Sequence, residues 1–367
     1  MDYLSLLQEV VEQNSFTHNK SGVDKVGKIF DRYFSSIGMD VEIFMREVIG
    51  DHHYYTSPYD PSKRRLLLLG HLDTVFPPGK FEGFSYDDEW VYGPGVCDMK
   101  GGNVVAFLAL KQLYDMQKSL HNIDVLLVSD EETGSDDSKY LTAELAKKYD
   151  YCFVYEAAGK NLEIVTARKG VGTFFIDIEG KAAHAGNHYS DGIDANLEAS
   201  YKLQELVKLT DLTKGTTVNV GKIEGGIGAN TISPHSHLTF EIRYKTTDER
   251  DRVLKEIDRI AQTSYVKGSV AKLRGGIQRD VMQPSATTLE LVKKIEMITG
   301  DDLHVEERGG VSDANIVSSA GVVTLDGFGP YGDGDHTVNE RALKSSFDQR
   351  IELSRKLFEH FITKGDF

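Results

Sequence analysis

The sequence predicts an α/β protein with a mostly parallel sheet and helices on both faces. A βαββαβ domain of ferredoxin-like pattern is inserted into it. Three observations carry this reading. Short, strongly apolar runs recur through the first 155 residues, and each ends at a glycine or at acidic residues. A long stretch of helical spacing separates the first two of these runs. From residue 172 the order changes to strand, helix, strand, strand, helix, strand, which is the split-βαβ arrangement. A length of 367 residues suits about two domains.

Taken in order, residues 2–14 and 22–38 carry apolar side chains at helical spacing: Leu4, Leu7, Val10 and Val11, then Val23, Val26, Phe30, Phe34 and Ile37. Arg65 to Gly70, residues 123–129 and Tyr151 to Tyr155 are short and apolar throughout, as buried strands of a parallel sheet are. Residues 101–118 read as the helix between the first two. In the inserted part, 172–179, 216–224, 231–244 and 268–275 read as strands, with helices over 192–209 and 247–264. The expected division is a discontinuous first domain, 1–171 and 284–367, around a second domain, 172–283. No internal repeat or low-complexity stretch interrupts the pattern.

Composition narrows the function. Hydrophobic residues make up 40% and charged residues 27%, which is ordinary for a globular chain. The 42 basic and 57 acidic side chains give a net charge of −15. Nucleic acid and anionic membrane surfaces repel such a chain, so neither is expected as a partner. No run approaches the roughly 18 apolar residues of a membrane span, and the N-terminus lacks the pattern of a secretory signal. Cys97 and Cys152 are too few for a disulfide framework or a cysteine zinc site. The expectation is a cytoplasmic protein with two reduced thiols.

Several familiar signatures are missing. There is no P-loop, no Gly-x-Ser-x-Gly and no His-Glu-x-x-His, and Gly93-Pro94-Gly95 lacks the third glycine of a dinucleotide fingerprint. What remains is a set of histidines and acids, mostly at strand-to-loop junctions, where open α/β sheets place their sites. Gly70-His71-Leu72-Asp73-Thr74 ends the first apolar run. Gly93 to Gly102, with Asp98 inside it, precedes the helix. Asp130-Glu131-Glu132 follows the second run, Glu156 follows the third, and Gly334-Asp335-His336-Thr337-Val338-Asn339-Glu340 lies near the C-terminus. Imidazole mixed with carboxylate suits Zn²⁺. A metal pair needs a bridging carboxylate, and a hydrolase needs a further carboxylate, outside the ligand set, to take a proton from water. Glu131 and Glu132 can divide that labour, because consecutive residues point in different directions. Asp73 is spaced to accept the second ring N–H of His71.

On these motifs the sequence resembles the two-zinc exopeptidase and deacylase family that includes glutamate carboxypeptidase, aminoacylase and succinyl-diaminopimelate desuccinylase. The resemblance covers essentially the whole chain and all five motifs in order. Among members it is most similar to glutamate carboxypeptidase, through Gly70 to Phe76 and Gly93-Pro94-Gly95-(x)2-Asp98-x-Lys100-Gly101-Gly102. It implies a zinc-exopeptidase catalytic domain with an inserted dimerisation or lid domain, two Zn²⁺ per chain (Co²⁺ or Mn²⁺ able to substitute) and a homodimer. By position, His71 and Glu156 would hold one zinc, Glu132 and His336 the other, and Asp98 would bridge them, followed by a non-proline cis peptide. Glu131 would be the general base and Asp73 would orient His71. His184, in Lys181-Ala182-Ala183-His184-Ala185-Gly186, would polarise the scissile carbonyl at the partner subunit's site. Asn230 and Arg243 would bind the far end of the substrate, an arginine there suiting a free α-carboxylate. The Gly309-Gly310 backbone would line the pocket.

The implied activity is zinc-dependent, carboxypeptidase-like cleavage of amide bonds in small peptides or N-acyl amino acids. An enzyme alternative is a deacylase or desuccinylase of biosynthetic intermediates. A non-catalytic metal-binding dimeric scaffold is the alternative from another class, and the retained Glu131 argues against it. Other features read as structural. Cys97 beside the bridging position reads as buried packing rather than a reactive thiol, and Trp90 as core. His52-His53-Tyr54-Tyr55 reads as a strand or hairpin with mixed faces rather than a metal site. His235 and His237, alternating in a strand, carry no assigned role.

Overall fold

The computed structural model describes residues 2–367. The chain forms two compact units. Residues up to Ala167, Pro284–Arg308 and Ser312–Phe367 make the first, and Arg168–Gln283 with Gly309–Val311 make the second. The second unit opens at Arg168 rather than at 172. Its first strand begins at Gly170, where Gly170 and Val171 already pair with Tyr244 and Arg243.

The first unit is built on a six-stranded sheet in the order Asp40–Phe44, His52–Thr56, Ile123–Val128, Leu66–His71, Tyr151–Val154, Val323–Leu325. The last four are mutually parallel, and the first two join antiparallel. Every residue of Leu66–His71 and of Ile123–Val128 is buried, which is why these runs read as unbroken apolar segments. Helices Tyr3–Val11, Lys20–Ser36 and Lys100–Gln117 occur close to where helical spacing placed them. Asp2 and Asn19 cap the first two. The C-terminal helix Lys344–Lys364 joins their core through Phe347, Leu357 and Phe361.

Two local readings change, and the reading of Cys97 as buried packing holds. Trp90, expected in the core, is half-buried in a small sheet of Gly332–Asp333, Arg341–Leu343, Trp90–Tyr92 and Ser85–Tyr86. The pleat turns Val91 and Ala342 inward and leaves Trp90 on the other face, where the Arg341 guanidinium lies 4.0 Å over its ring. His52–Thr56 is a strand, but both of its faces are covered, since its first four residues are all buried. His52 Nε2 lies 2.9 Å from Asp137 and His53 Nδ1 lies 2.7 Å from Asp31. Cys97 is buried, and burial pushes its thiol well up, as it does that of Cys152.

The second unit has the strand order Thr217–Gly225, His235–Tyr244, Gly170–Glu179, Val270–Arg279, antiparallel throughout. Counted along the chain this is 2-3-1-4, the order of a ferredoxin-like sheet. Phe174, Ile176, Leu238, Phe240 and Ile242 alternate inward and meet Val253 and Ile257 of helix Thr247–Gln262 and Ala199 and Leu206 of helix Ala195–Val207. Lys202 is fully buried. Its ammonium donates to the carbonyls of Ile260, Ala261 and Thr263, which end the second helix, and pairs with Glu198.

Candidate metal centre

The first unit brings four loops to the carboxyl ends of its parallel strands. His71 ends Leu66–His71, Glu131 and Glu132 follow Ile123–Val128 in a short 3₁₀ turn, and Glu156 follows Tyr151–Val154. Asp98 precedes helix Lys100–Gln117 and is followed by a cis peptide to Met99. Glycines make this approach close. A Cβ at Gly102 would meet the Tyr155 carbonyl oxygen at 1.8 Å, and one at Gly70 would meet Asn103 Oδ1 at 2.1 Å. His336 comes from the tight loop 334–340 and is more than half exposed, in contrast to His71 at 1%.

The ring geometry fixes what each imidazole offers. His71 Nδ1 lies 3.0 Å from the Asp73 carbonyl oxygen, which can only accept, so this nitrogen carries the proton. Its Nε2 faces Asp98 Oδ1 at 3.2 Å and Glu156 Oε1 at 3.7 Å. His336 Nε2 faces the other oxygen of Asp98 at 3.3 Å and Glu132 Oε2 at 3.0 Å. Asp98 thus turns one oxygen to each histidine. The ligand atoms of His71, Asp98 and Glu132 lie within 4.8 Å of one another, and so do those of His71, Glu131 and Glu156.

Carboxyl groups outnumber imidazoles here. Asp73, Asp98, Glu131, Glu132 and Glu156 crowd around two imidazoles. Burial, and then the Asp98 charge, push Glu132 up to about 8, and Glu156 rises well above the carboxylate range for the same two reasons. Burial also opposes ionisation of Asp98, but hydrogen bonds from His336 and His71 win and hold it below the usual range. His336 is raised to about 11 by Asp98 and Glu132. His71 is also raised: burial works against its charge, but Asp73 and Asp98 outweigh it. Nitrogen and carboxylate donors arranged around a shared carboxylate are a donor set that fits divalent cations.

The surrounding hydrogen bonds hold this arrangement. The Asp73 carboxylate accepts the backbone N–H groups of Glu131 at 3.3 Å and Glu132 at 3.2 Å, and the Thr17 hydroxyl at 2.7 Å. It lies 3.3 Å from His71 Nδ1, slightly farther than its own backbone carbonyl. Asp73 therefore also orients the turn that carries the two glutamates. Asn103 Nδ2 donates to the His71 carbonyl at 2.7 Å. Sequence reasoning missed Thr17 and Asn103, since neither lies in a spaced motif of its own.

His184, Asn230, Arg243 and Gly310 all lie in the second unit, at opposite ends of its sheet. His184 pairs with Thr231, and Ala185 N–H donates to the Asn230 carbonyl, so His184 and Asn230 sit together near His235. His184 is exposed, and its Nδ1 accepts the N–H groups of Gly186 and Asn187 at 3.2 and 3.1 Å. In the neutral ring this leaves Nε2–H as an outward donor. At the far end of the strand, Arg243 donates to the Gly309 carbonyl at 2.9 Å, beside Gly310, whose carbonyl accepts from Arg168. Its fork is also engaged by Glu241, at 2.7 and 3.3 Å. At about 3.3 Å per residue, His235 and Arg243 are roughly 26 Å apart.

The sequence model described as peptidase family M20/M25/M40 matches residues 67–360, about four-fifths of the chain. The chain belongs to peptidase family M20/M25/M40. Carboxypeptidase G2 of Pseudomonas sp. (strain RS-16) is 28% identical, over 96% of this chain and 88% of its own length. Succinyl-diaminopimelate desuccinylase of Psychromonas ingrahamii is 23% identical, over 98% of each. Among solved structures, the aminopeptidase PepT of Bacillus cereus superposes with a TM-score of 0.81 at 22% identity, covering 98% of both chains. This M20/M25/M40 chain therefore shares one architecture with enzymes whose names differ in which amide they cleave.

Proposed function

We propose that this chain is a metal-dependent hydrolase of small peptides or N-acyl amino acids, carboxypeptidase-like, with two zinc ions per subunit. The observation that carries the reading is Asp98, whose two oxygens each face a different histidine, with a further glutamate beside each pair. His71, Glu156 and Asp98 would hold one ion, and His336, Glu132 and Asp98 the other. Bound there, zinc supplies Lewis acidity toward a carbonyl and makes water a better acid. Glu131 takes the proton from water and returns it to the leaving amine. Asp73 holds the Glu131 and Glu132 backbones, so the proton carrier and a ligand keep fixed positions. The outward Nε2–H of His184 is suited to donate to a developing oxyanion.

The placement of the second-unit residues supports a homodimer. His184 and Asn230 are too far from Arg243 for one chain to bring both ends to a small substrate, so His184 and Asn230 would serve the partner's centre. The unpaired sides of strands Thr217–Gly225 and Val270–Arg279 offer edges for association. A deacylase of biosynthetic intermediates uses the same chemistry and differs only in the acyl group. The cytoplasmic assignment rests on the two unpaired cysteines.

The test is chelation and reconstitution on a panel of dipeptides and N-acyl amino acids. EDTA should abolish activity, Zn²⁺ or Co²⁺ should restore it, and metal analysis should approach two per chain. Glu131→Gln should lower kcat by about 10²–10⁴-fold at nearly unchanged metal content, whereas Glu132→Gln should lose metal as well. Full activity after exhaustive chelation would overturn the reading.

A further inference from the structure

Glu340 closes the loop that carries His336, yet its side chain is 1% exposed and turned away from solvent. Its carboxylate gathers the loop that carries Asp98. One oxygen accepts the Gly95 N–H at 3.0 Å, and the other accepts the N–H groups of Cys97 and Asp98, both at 3.1 Å. The Cys97 thiol approaches the second oxygen at 3.5 Å, and the Gly93 N–H donates to the Glu340 carbonyl at 3.4 Å. Three backbone donors converging on one anion form the concave arrangement that turn-rich segments build for anions. Positive φ at Gly93 (149°) and Gly95 (83°) allows that turn, and a Cβ at Gly95 would meet Lys100 Cγ at 2.9 Å. The Gly-Pro-Gly segment, which is no dinucleotide fingerprint, is thus a cradle for a carboxylate of the chain itself.

The other half of the connection is the His336 loop. Thr337 N–H donates to the Gly334 carbonyl, Glu340 N–H donates to the Thr337 carbonyl, and the Thr337 hydroxyl ties back to Gly334. His336 stands in this loop with a positive φ of 61° and with its ring more than half exposed. An exposed side chain on a surface loop holds its position only if the loop is fixed elsewhere. The buried anchor of this loop is Glu340, four residues on.

We propose that Glu340 is a positioning residue that sets Asp98 and His336 in register, one buried carboxylate joining the two loops that present them. The proposal rests on the metal reading above. It acts through the backbone of Asp98, not by touching metal or substrate. Replacement by Gln keeps the shape but turns an amide N–H₂ toward backbone donors, so the cradle opens. The ion shared by His336, Glu132 and Asp98 should suffer first.

The experiment is Zn²⁺ binding by competition with a chromophoric chelator, together with melting of wild type, Glu340→Gln and Glu340→Asp with and without Zn²⁺. Wild type should bind two ions. Glu340→Gln should hold one ion near wild-type affinity and the other about 10–100-fold more weakly, the usual range for groups that orient ligands. Its Zn²⁺-dependent rise in Tm should shrink, and kcat should fall more than KM rises. Glu340→Asp keeps the charge but cannot reach all three donors, so it should lie between the two; it stands alone if the Gln variant does not fold. A variant with a lower Tm in both states, but with unchanged Zn²⁺ affinities and Zn²⁺-dependent Tm rise, would overturn the proposal and leave Glu340 a plain structural residue. Failure of wild type to bind Zn²⁺ would overturn the metal reading itself, and this proposal with it.

Discussion

Gly102→Ala separates packing from propensity at the centre. Gly102 lies in the first turn of helix Lys100–Gln117 without a positive φ. By intrinsic preference alone, alanine there should stabilise by about 1 kcal/mol. The structure predicts the opposite. The added Cβ would lie 1.8 Å from the Tyr155 carbonyl oxygen, a backbone atom that cannot swing away, and ordinary contact begins near 3.4 Å. Helix and strand must therefore part by about 1.6 Å. Asp98 lies four residues before Gly102, and Glu156 directly follows Tyr155, so the same displacement pulls apart two groups around His71. Overpacking of this kind costs about 1–3 kcal/mol, and a 1 Å misplacement at a reacting site costs about 100-fold in rate. The assay is melting and kcat/KM for Gly102→Ala beside Gly276→Ala, whose Cβ would meet nothing within 4 Å. The expected result is a Tm lowered by several degrees and at least about 100-fold lower kcat/KM for the first, with near wild-type values for the second. Wild-type stability and turnover in Gly102→Ala would refute the argument that the close approach sets the centre's geometry.

Two further outcomes follow. Glu131→Ala and His184→Ala homodimers should each be nearly inactive, while subunits exchanged between them should recover about a quarter of wild-type activity, because half the dimers are mixed and half their sites are intact; exchange confirmed by mass with no recovery would place His184 in its own chain's site. Glu249 in the second unit accepts hydrogen bonds from Arg252, Thr216 and Lys214 and is lowered to about 2, chiefly by Arg252. Its stabilisation is present above its ordinary value near 4.5 and is lost as pH falls through about 2. Because Arg252 and Lys214 reach solvent, about 1–2 kcal/mol is expected rather than the full value of the shift. The stability gap between wild type and Glu249→Gln should narrow as pH falls from 4.5 toward 2, and a gap independent of pH would contradict this account.

Much of the centre was legible because its chemistry is local. A strand end supplies His71 and Asp73 two residues apart, a turn supplies adjacent glutamates, and the motifs recur in one chain order. Strand positions were legible wherever burial on both faces made them uniformly apolar. What was illegible depends on long-range pairing. Trp90 reads as core from its size alone, and only its pairing with Leu343 shows that the inward positions of that small sheet belong to Val91 and Ala342. Helix Lys344–Lys364 and strand Val323–Leu325 lie far along the sequence from the elements they complete. Glu340 ends the segment 334–340 but shows no role in the sequence alone, because its partners lie some 245 residues earlier.

The residue roles proposed for the second unit would let one fold serve carboxypeptidases and desuccinylases alike. On the proposed reading, the acids and imidazoles of the first unit would act on an amide whatever flanks it. Selectivity would then come from groups that touch the flanks, and the residues proposed for that role are split. One end of the second unit's sheet carries His184 and Asn230, and the other carries Arg243 against Glu241 and the Gly309 carbonyl. Arg243 is already paired with a carboxylate, so a substrate carboxylate would exchange for Glu241 instead of meeting a bare guanidinium. Such an exchange keeps the charge balanced, and its net gain depends on how well the incoming carboxylate fits the planar fork. A neutral amide brings no compensating charge and would leave the Glu241 pair in place. With Arg243 in the proposed role, discrimination at this end would be a competition between two carboxylates for one arginine. It could then be altered at Glu241.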